Sequence, residues 1–327
     1  MLVALTGAFA TGAVVQAVGA PTAGRWLAAF HGVIGLAVLV LTPWKSRVIN
    51  RGLGRRNRGR TASLILAAIT LVVIVTGVVH TTGLLSRIGP FTVLWWHIAS
   101  ALALLPVLGW HVAARNTLPR PLDATRRNFL RLAGLASTGA VMWWGADRAI
   151  SLSGLPGSER RFTGSYERSS FDPAGMPVTS WLDDTTPTVD AASWRLTLSD
   201  AAGSRSLSLS DLAALASAEV TADLDCTSGW WSRQVWEGVP LDRLVDAGDA
   251  RSVVVRSATG YARRYPVTDL GRLWLATGVG GESLSPGHGF PARLIAPHRR
   301  GFWWVKWVDR LETSSLPWWV QSPFPLT

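Results

Sequence analysis

The chain contains a single cysteine, Cys226, within the stretch 225–231, DCTSGWW. One cysteine cannot close an intrachain disulfide, and it cannot supply the paired spacings of zinc sites or c-type haem attachment. A thiolate is a strong, soft ligand for a transition metal, whereas a buried lone cysteine otherwise packs as a small hydrophobe. Cys226 is therefore a candidate metal ligand, with the packing role as the alternative.

Four of the six histidines lie inside long apolar runs: His31, His80, His97 and His111. Ionisable residues in membrane spans are costly and usually functional, and imidazole is a common axial ligand of haem iron. His97 and His111 would be about 21 Å apart on one helix and cannot share a haem. We expect His31 and His97 to bind one haem b, with His80 as the substitute for His31. His111 is the candidate for a second haem, and hydrogen bonding between helices is the alternative for all four.

The elements that must position these histidines are five apolar runs, each long enough to cross a bilayer as a helix. They are Leu2–Ala20, Trp26–Trp44, Ala62–Leu85, Phe91–Ala114 and Phe129–Ile150. The fifth is glycine-rich and carries Asp147 and Arg148, so it is the weakest of the five. The sequence thus predicts an N-terminal all-α transmembrane bundle of about five helices.

The net charge of +11 is concentrated in the loops 45–60 and 115–127. Basic loops between apolar runs mark the cytoplasmic side of a membrane protein, so we expect a lipid bilayer and no nucleic acid as partner. This orientation predicts a multi-pass protein of a bacterial cell membrane, with residues 151–327 on the periplasmic or extracellular side. The run RRNFLR at 126–131 resembles a twin-arginine export motif, which makes 129–150 a predicted signal-anchor helix; two ordinary cytoplasmic arginines are the alternative.

Residues 151–190 are rich in Ser, Gly, Pro and Asp and are predicted to be a linker and irregular lead-in to the domain at 191–327. The remainder mixes short strands and short helices, which predicts an α+β domain. The predicted strands are Trp194–Leu198, Val220–Leu224, Ser252–Ser257, Leu273–Ala276, Arg293–Ala296 and Trp303–Leu311. The predicted helices are Leu207–Leu215 and Leu241–Ala247.

Four blocks in this region stand in order: CTSGW with WEGVPL (226–241), TGYARRYP (259–266), LA with GESLSPGHGFPARLIAP (275–297) and GFWWVKWV (301–308). Over residues 162–321 they resemble the sulfite oxidase-type molybdopterin-dependent oxidoreductases. The spans and histidines of residues 1–128 resemble a cytochrome b-like membrane domain. The chain departs from sulfite oxidases directly after Cys226, and their substrate arginines are not clearly reproduced.

The resemblance implies that Cys226 ligates molybdenum and that His288, Arg293 and Lys306 bind the pterin and its phosphate. Guanidinium and ammonium donors suit a phosphate. Arg168 is a further cofactor candidate by analogy with an arginine near the start of the family domain. Three residues lie where the family's substrate side would be, and solvated charges on a strand are their alternative role: Tyr261, Arg263 and Arg264.

The function implied is a membrane-bound molybdopterin-dependent oxidoreductase that transfers an oxygen atom and two electrons on a small S- or N-oxide or sulfite-like substrate. Electrons would be exchanged through haem b with a quinone or quinol. Two alternatives remain open. One is a non-catalytic, membrane-anchored binding or assembly module with a degenerate molybdopterin fold, and the other is a transmembrane haem b reductase with an accessory outer domain.

Overall fold

The computed structural model describes residues 1–17, 21–53, 60–115, 125–181, 184–216 and 218–325. The chain divides into two compact units. The first contains residues 1–16 and 21–164, and the second contains residues 17–20 and 165–327. Most of the segment predicted as linker and lead-in, from Ser165 onward, is thus part of the second unit.

Among its described residues, the first unit contains five α-helices. They are α1 (Leu2–Ala17), α2 (Pro21–Leu53), α3 (Arg60–Thr82), α4 (Val93–Arg115) and α5 (Arg126–Ser153). A two-residue hairpin of β1 (Arg87–Ile88) and β2 (Phe91–Thr92) joins α3 to α4. Thr125 caps α5 by accepting a hydrogen bond from the Asn128 N–H, so the RRNFLR run forms the first turns of this helix.

Three described helical segments are long and apolar enough to cross a bilayer: Ala23–Pro43, Thr61–Thr82 and Val93–Ala114. Helix α1 is apolar but has only 16 residues, and its predicted extension through 18–20 lies outside the described residues. Helix α5 does not meet these criteria. Three of the five predicted spans are therefore supported. Much of the charge that set the predicted orientation, at 54–59 and 116–124, also lies outside the described residues.

The helices α1 to α4 share one apolar core. Its buried members are Leu5 of α1, Val38 of α2, and Leu104 and Leu108 of α4, and α3 contributes Leu66, Ile69, Val73 and Ile74. Side chains three, four or seven residues apart fall on one helix face. The core positions therefore mark the face of each helix that packs against the others. Residues one turn before or after these core positions point into the same bundle.

The second unit contains two sheets. The six-stranded sheet is made of β3 (Tyr166–Glu167), β6 (Ala218–Cys226), β7 (Trp230–Pro240), β10 (Trp274–Val279), β11 (Glu282–Ser283) and β12 (Arg293–Ile295). Strand β7 is antiparallel to β6 and β10 and parallel to β3. The central position of β7 therefore joins the lead-in segment to the hairpin that contains Cys226.

The five-stranded sheet has the order β5-β4-β13-β8-β9. Its strands are β4 (Arg195–Asp200), β5 (Gly203–Ser208), β8 (Ser252–Ser257), β9 (Ala262–Pro266) and β13 (Val308–Ser314). Strand β13 is parallel to β4, and the other neighbours are antiparallel. Helix α6 (Leu209–Leu215) follows β5 and begins with a capping box between Ser208 and Asp211. The α+β prediction is confirmed.

Most predicted strands of the second unit are present, but β5, β7, β9 and the two-residue strands β3 and β11 were not predicted. On β7 the buried face carries Ser232 and Gln234 between Trp230 and Trp236, so no apolar alternation is visible in the sequence. The predicted strand Trp303–Leu311 is wrong in its first half. There the chain makes a 3-10 turn at Gly301–Trp303 before β13 begins, and Leu241–Ala247 likewise forms only a 3-10 turn at Leu241–Arg243.

Candidate active site

Cys226 is the last residue of β6, at the point where the β6–β7 hairpin turns. It pairs with Trp230 across the hairpin, and Gly229 takes a positive φ of 97° that closes the turn. The thiol is buried, and its Sγ lies 3.1 Å from the Ser228 Oγ. Cys226 lines a cavity of about 640 Å³, a volume that includes the open mouth.

A buried ion pair holds the backbone beneath this thiol. The Arg300 guanidinium lies 2.5 Å from the Asp225 carboxylate and is fully buried. It also donates to the Cys226 carbonyl at 3.2 Å, while the Ser165 hydroxyl donates to Asp225 at 2.6 Å. Because a buried pair is stable only when its remaining hydrogen-bonding groups are satisfied, these bonds fix the end of β6 firmly.

The cavity wall is largely aromatic, and two cationic side chains face into it with His288. The aromatic residues that line it are Trp181, Trp230, Tyr261, Phe302, Trp304 and Trp307. The cations are Arg293 and Lys306. Thr179, Ser180 and Asp184 add polar groups from the lead-in segment. The site is thus a largely aromatic, open-mouthed pocket that contains one thiol, two basic side chains and the Asp184 carboxyl group.

Arg293 is 3% exposed and comes from β12. Its Nη1 donates to the His288 carbonyl at 3.0 Å, and its buried Nε has no hydrogen-bond partner among the described residues. The guanidinium carbon lies 5.4 Å from the Trp236 ring centroid. Burial lowers the pKa of Arg293 to about 10, so the side chain stays charged at neutral pH and lacks a buried counter-charge bonded to it.

Lys306 lies on the segment that precedes β13. Its Nζ donates to the carbonyl oxygens of Thr179 at 2.9 Å and Gly287 at 2.7 Å. Burial, followed by the charge of Arg293, lowers the pKa of Lys306 to about 7. Within the described residues, Arg293 and Lys306 hydrogen-bond only to carbonyl oxygens. An anion such as a phosphate would stabilise these two cations.

His288 also lines the cavity, but its ring is bonded to the protein. Its Nε2 donates to the Met176 carbonyl at 3.0 Å, and Ser285 Oγ lies 2.9 Å from Nδ1. Because a carbonyl can only accept, the proton lies on Nε2 and Nδ1 accepts. Burial and the charge of Arg293 lower the pKa of His288. The neutral ring therefore ties the lead-in segment to the cavity.

The three predicted substrate residues have different surroundings, and alternation along β9 separates Arg263 from Arg264. Tyr261 lines the cavity, its hydroxyl donates to the Phe302 carbonyl, and burial raises its pKa. Arg263 lies outside the lining and stacks on Trp303 at 4.0 Å from the ring centroid. Arg264 is on the opposite face of β9 and donates to Ser252 at 3.0 Å. Neither arginine is part of the cavity wall.

Arg168 is exposed and donates to the Glu167 carbonyl at 2.9 Å, so the structure does not bring it to the cavity either. Sequence reasoning missed Asp225, Arg300 and Thr179. The adjacency of Asp225 to the only cysteine was the one available signal for the first. Nothing local marks Arg300 or Thr179, since both join the site through long-range contacts.

In the first unit the structure brings His31 and His97 together. Their ring centroids are 5.9 Å apart and the ring planes are nearly perpendicular, at 89°. His31 Nδ1 donates to the Ala8 carbonyl at 2.8 Å, and His97 Nδ1 donates to the Val73 carbonyl at 2.9 Å. Among the described residues, neither Nε2 atom has a hydrogen-bond partner, so both can serve as metal ligands.

The other two histidines of this unit have different surroundings. The His80 ring lies close to Gly164, where an added Cβ would be 2.7 Å from its Nε2. His111 lies on α4 with its Nδ1 3.2 Å from the Ser63 hydroxyl. Of the four candidates, His31 and His97 are therefore the two whose rings are in contact.

The second unit is similar to known oxidoreductases. Residues 183–319 match the oxidoreductase molybdopterin binding domain. A curated relative, the uncharacterized oxidoreductase YuiH of Bacillus subtilis (strain 168), is 34% identical over 114 residues, which are 32% of this chain and 57% of the relative. The nitrate reductase [NADPH] of Mycosarcoma maydis is 50% identical over 40 residues, 12% of this chain and 4% of the relative.

Among solved structures, the sulfane dehydrogenase SoxCD from Paracoccus pantotrophus is 24% identical, with a TM-score of 0.38 and coverage of 40% of each chain. The chain spans little more than half of YuiH and a small fraction of the nitrate reductase. These matches confirm an oxidoreductase of the molybdopterin-binding kind in the C-terminal region. They do not extend to the helical unit.

Proposed function

We propose that the chain is a membrane-bound molybdopterin-dependent oxidoreductase. It would transfer an oxygen atom and two electrons on a small S- or N-oxide or a sulfite-like substrate, and exchange electrons through haem b with quinone or quinol. The single observation that carries the proposal is that the only thiol of the chain opens into the same cavity as Arg293 and Lys306, inside a domain matched to molybdopterin binding.

The residues present fit the cofactor. A thiolate is a suitable ligand for a heavy transition metal. The Arg300–Asp225 pair holds Cys226 through the backbone carbonyl and not through the thiol. Arg293 has a buried Nε without a partner among the described residues, and Lys306 bonds only to carbonyls. A phosphate in this cavity would satisfy donors that the protein itself leaves unused.

Oxygen-atom and two-electron transfer is the chemistry that the bound molybdopterin supplies. The chain's own residues position and enclose it. Cys226 would supply a metal ligand, and Arg293 with Lys306 would neutralise the phosphate. The aromatic wall would exclude water, which strengthens these electrostatic contacts. Tyr261 is the predicted substrate-side residue that lies at the cavity, where its hydroxyl is already bonded to the Phe302 carbonyl.

The haem part of the proposal rests on the first unit. His31 and His97 would be the two axial ligands, because both rings keep Nδ1 on a carbonyl and leave Nε2 available. This is the usual arrangement of a metal-binding histidine. A centroid separation of 5.9 Å is compatible with one metal ion between the rings. His80 remains the substitute and His111 the candidate for a second haem.

Membrane insertion is supported by the three apolar segments on α2, α3 and α4. We propose a multi-pass protein of a bacterial membrane, with the catalytic domain on the periplasmic or extracellular side. The twin-arginine-like run before α5 supports export of this domain, and a lipid bilayer, a quinone or quinol and a small substrate complete the proposed partners.

The proposal is tested on the purified full chain by quantifying molybdenum and haem, and then by following reoxidation of dithionite-reduced haem with sulfoxides and N-oxides. We expect both cofactors to be present and at least one oxide to reoxidise the haem in wild type but not in Cys226→Ser. Absence of molybdenum, or unchanged turnover in Cys226→Ser, would support a binding or assembly module instead. Haem reduction independent of the outer domain would support the haem b reductase alternative.

A further inference from the structure

The contacts around His31 form a compact triangle between α1 and α2. The Ala8 carbonyl accepts the His31 Nδ1–H at 2.8 Å and the Thr11 hydroxyl at 3.0 Å. The Thr11 Oγ lies 3.4 Å from Nδ1. Gly12 follows Thr11, and a Cβ placed there would be 2.9 Å from the His31 Cε1. The glycine therefore provides the space that the ring occupies.

The same triangle recurs around His97, between α3 and α4. The Val73 carbonyl accepts the His97 Nδ1–H at 2.9 Å and the Thr76 hydroxyl at 3.1 Å. The Thr76 Oγ lies 3.5 Å from Nδ1, and a Cβ on Gly77 would be 3.1 Å from the His97 Cε1. Each distance agrees with its counterpart around His31 to within 0.2 Å.

These positions are also equivalent along the chain. Ala8, Thr11 and Gly12 each lie 65 residues before Val73, Thr76 and Gly77, and His31 lies 66 residues before His97. Seven residues after each histidine comes a core residue, Val38 on α2 and Leu104 on α4. The correspondence therefore includes the histidine, the residues that contact it and a core residue on the same helix.

We infer that α1–α2 and α3–α4 are two copies of one helical hairpin, and that Thr11-Gly12 and Thr76-Gly77 are matched positioning residues that aim one imidazole from each copy at a shared metal. The inference rests on the proposed haem site, which it deepens by naming what sets the orientation and electronic character of its ligands. The chance occurrence of one Thr-Gly pair in an apolar helix is unremarkable, but two pairs with the same contacts to two facing histidines are not.

The threonine hydroxyl has a definite electronic role in this arrangement. Its single proton is shared between the carbonyl four residues earlier, at 2.7 Å in both copies, and the carbonyl that holds the imidazole N–H, at 3.0 and 3.1 Å. Through this second contact the hydroxyl competes with the imidazole for that carbonyl. Removing the hydroxyl makes the carbonyl a stronger acceptor and the imidazole a more basic ligand. A more basic ligand stabilises the oxidised metal, and the contact of Nδ1 with Oγ is too long to outweigh this effect.

The test is the midpoint potential of the haem in the full-length protein with Thr11→Val, Thr76→Val and the double variant. We expect each single variant to lower the potential by a similar amount and the double variant to lower it further, by an amount that need not equal the sum because the two ligands share one iron. Thr70→Val is the matched control, because Thr70 is a buried threonine of α3 that donates to the Leu66 carbonyl and contacts no histidine.

A second test is steric and uses Gly12→Ala and Gly77→Ala. We expect both variants to lose or shift the low-spin absorption spectrum of the haem to the same extent. Gly35→Ala on α2 is the control, since nothing lies within 4 Å of its Cβ position. Wild type without haem would refute the proposed haem function itself. Wild type with haem whose potential and spectrum are unchanged by the threonine and glycine variants, or changed in one copy only, would overturn the inference of matched positioning residues.

Discussion

Gly301 lies against the backbone of Cys226, so that a Cβ placed on it would be 3.1 Å from the Cys226 Cα and 3.3 Å from the Asp225 carbonyl oxygen. The neighbour cannot withdraw easily, because Arg300 bonds to both the Asp225 side chain and the Cys226 carbonyl. Gly301 therefore helps to set the position of the Cys226 backbone, and with it the position of the thiol.

The first prediction follows directly. Gly301→Ala should push the end of β6 away and destabilise the domain by about 1–3 kcal/mol, as overpacking does. It should also lower the molybdenum content of the purified protein. Chemical denaturation and metal analysis measure the two effects. Gly134→Ala, at an open position of α5, is the control; equal molybdenum content in both variants would contradict the close-approach explanation.

Breaking the buried ion pair should be costly. Arg300→Met leaves the Asp225 carboxylate buried without its cation, and we expect a loss of about 3–5 kcal/mol in the free energy of unfolding. Arg233→Met provides a matched control, because Arg233 pairs with Asp223 at 2.6 Å but its side chain is 48% exposed. That change should cost less than about 1 kcal/mol. Similar losses in the two variants would show that burial does not set the difference.

Cys226→Ser should abolish substrate-dependent reoxidation of the haem while leaving the fold intact, because the side chains are nearly isosteric. Circular dichroism and thermal denaturation report the fold, and reoxidation kinetics report turnover. Ser228→Ala, which removes the Oγ that lies 3.1 Å from the thiol, should retain turnover. Equal loss in both variants would mean that the hydroxyl, rather than a metal-ligating thiolate, is required.

Lys306 makes the stability of the cofactor-free protein depend on pH. Its pKa of about 7 in the folded protein lies below the unfolded value of about 10.4, so between these values the unfolded chain binds the extra proton. The free energy of unfolding should therefore rise from pH 7 toward pH 10 by at most about 1.4 kcal/mol per pH unit from this group.

Urea denaturation at several pH values measures this slope. Lys306→Met should remove that part of the slope and stabilise the cofactor-free protein below pH 7, where wild type buries a charge. Phosphate binding to wild type should weaken as the pH rises through 7, because Lys306 loses its proton. The Lys306→Arg variant should still bind phosphate above pH 7, since arginine stays charged. A slope unaffected by Lys306→Met would exclude this lysine as its source.

The four histidines of the helical unit should separate into two classes. His31→Ala and His97→Ala should each lose the reduced b-type spectrum, because the two rings face each other and keep Nε2 available. His80→Ala and His111→Ala should retain it. Dithionite-reduced minus oxidised spectra of membranes measure the outcome, and loss of the spectrum in His80→Ala would favour His80 as the axial ligand.

Much of the helical unit was readable from the sequence. Long apolar runs have few alternatives to helices, so α3 and α4 were predicted within three residues of their observed bounds, whereas α2 extends beyond the predicted Trp26–Trp44 at both ends. The sequence favoured His31 over His80 as the partner of His97, but it gave no safe choice between them. Only side-chain packing separates them: it directs His31 at His97 and His80 at Gly164.

In the second unit the sequence by itself predicted roles for Cys226, Arg293 and Lys306, because they stand in ordered blocks that resemble a known family; these roles stay predictions. The tertiary structure decided the rest. Contacts with Trp303 and the Ser322 carbonyl hold Arg263 outside the cavity, and alternation places Arg264 on the opposite face of β9. Long-range contacts bring Arg300 under the thiol and Thr179 to Lys306. Such contacts join positions up to 127 residues apart, and no local pattern encodes them, since burial and pairing are fixed only when the sheets pack.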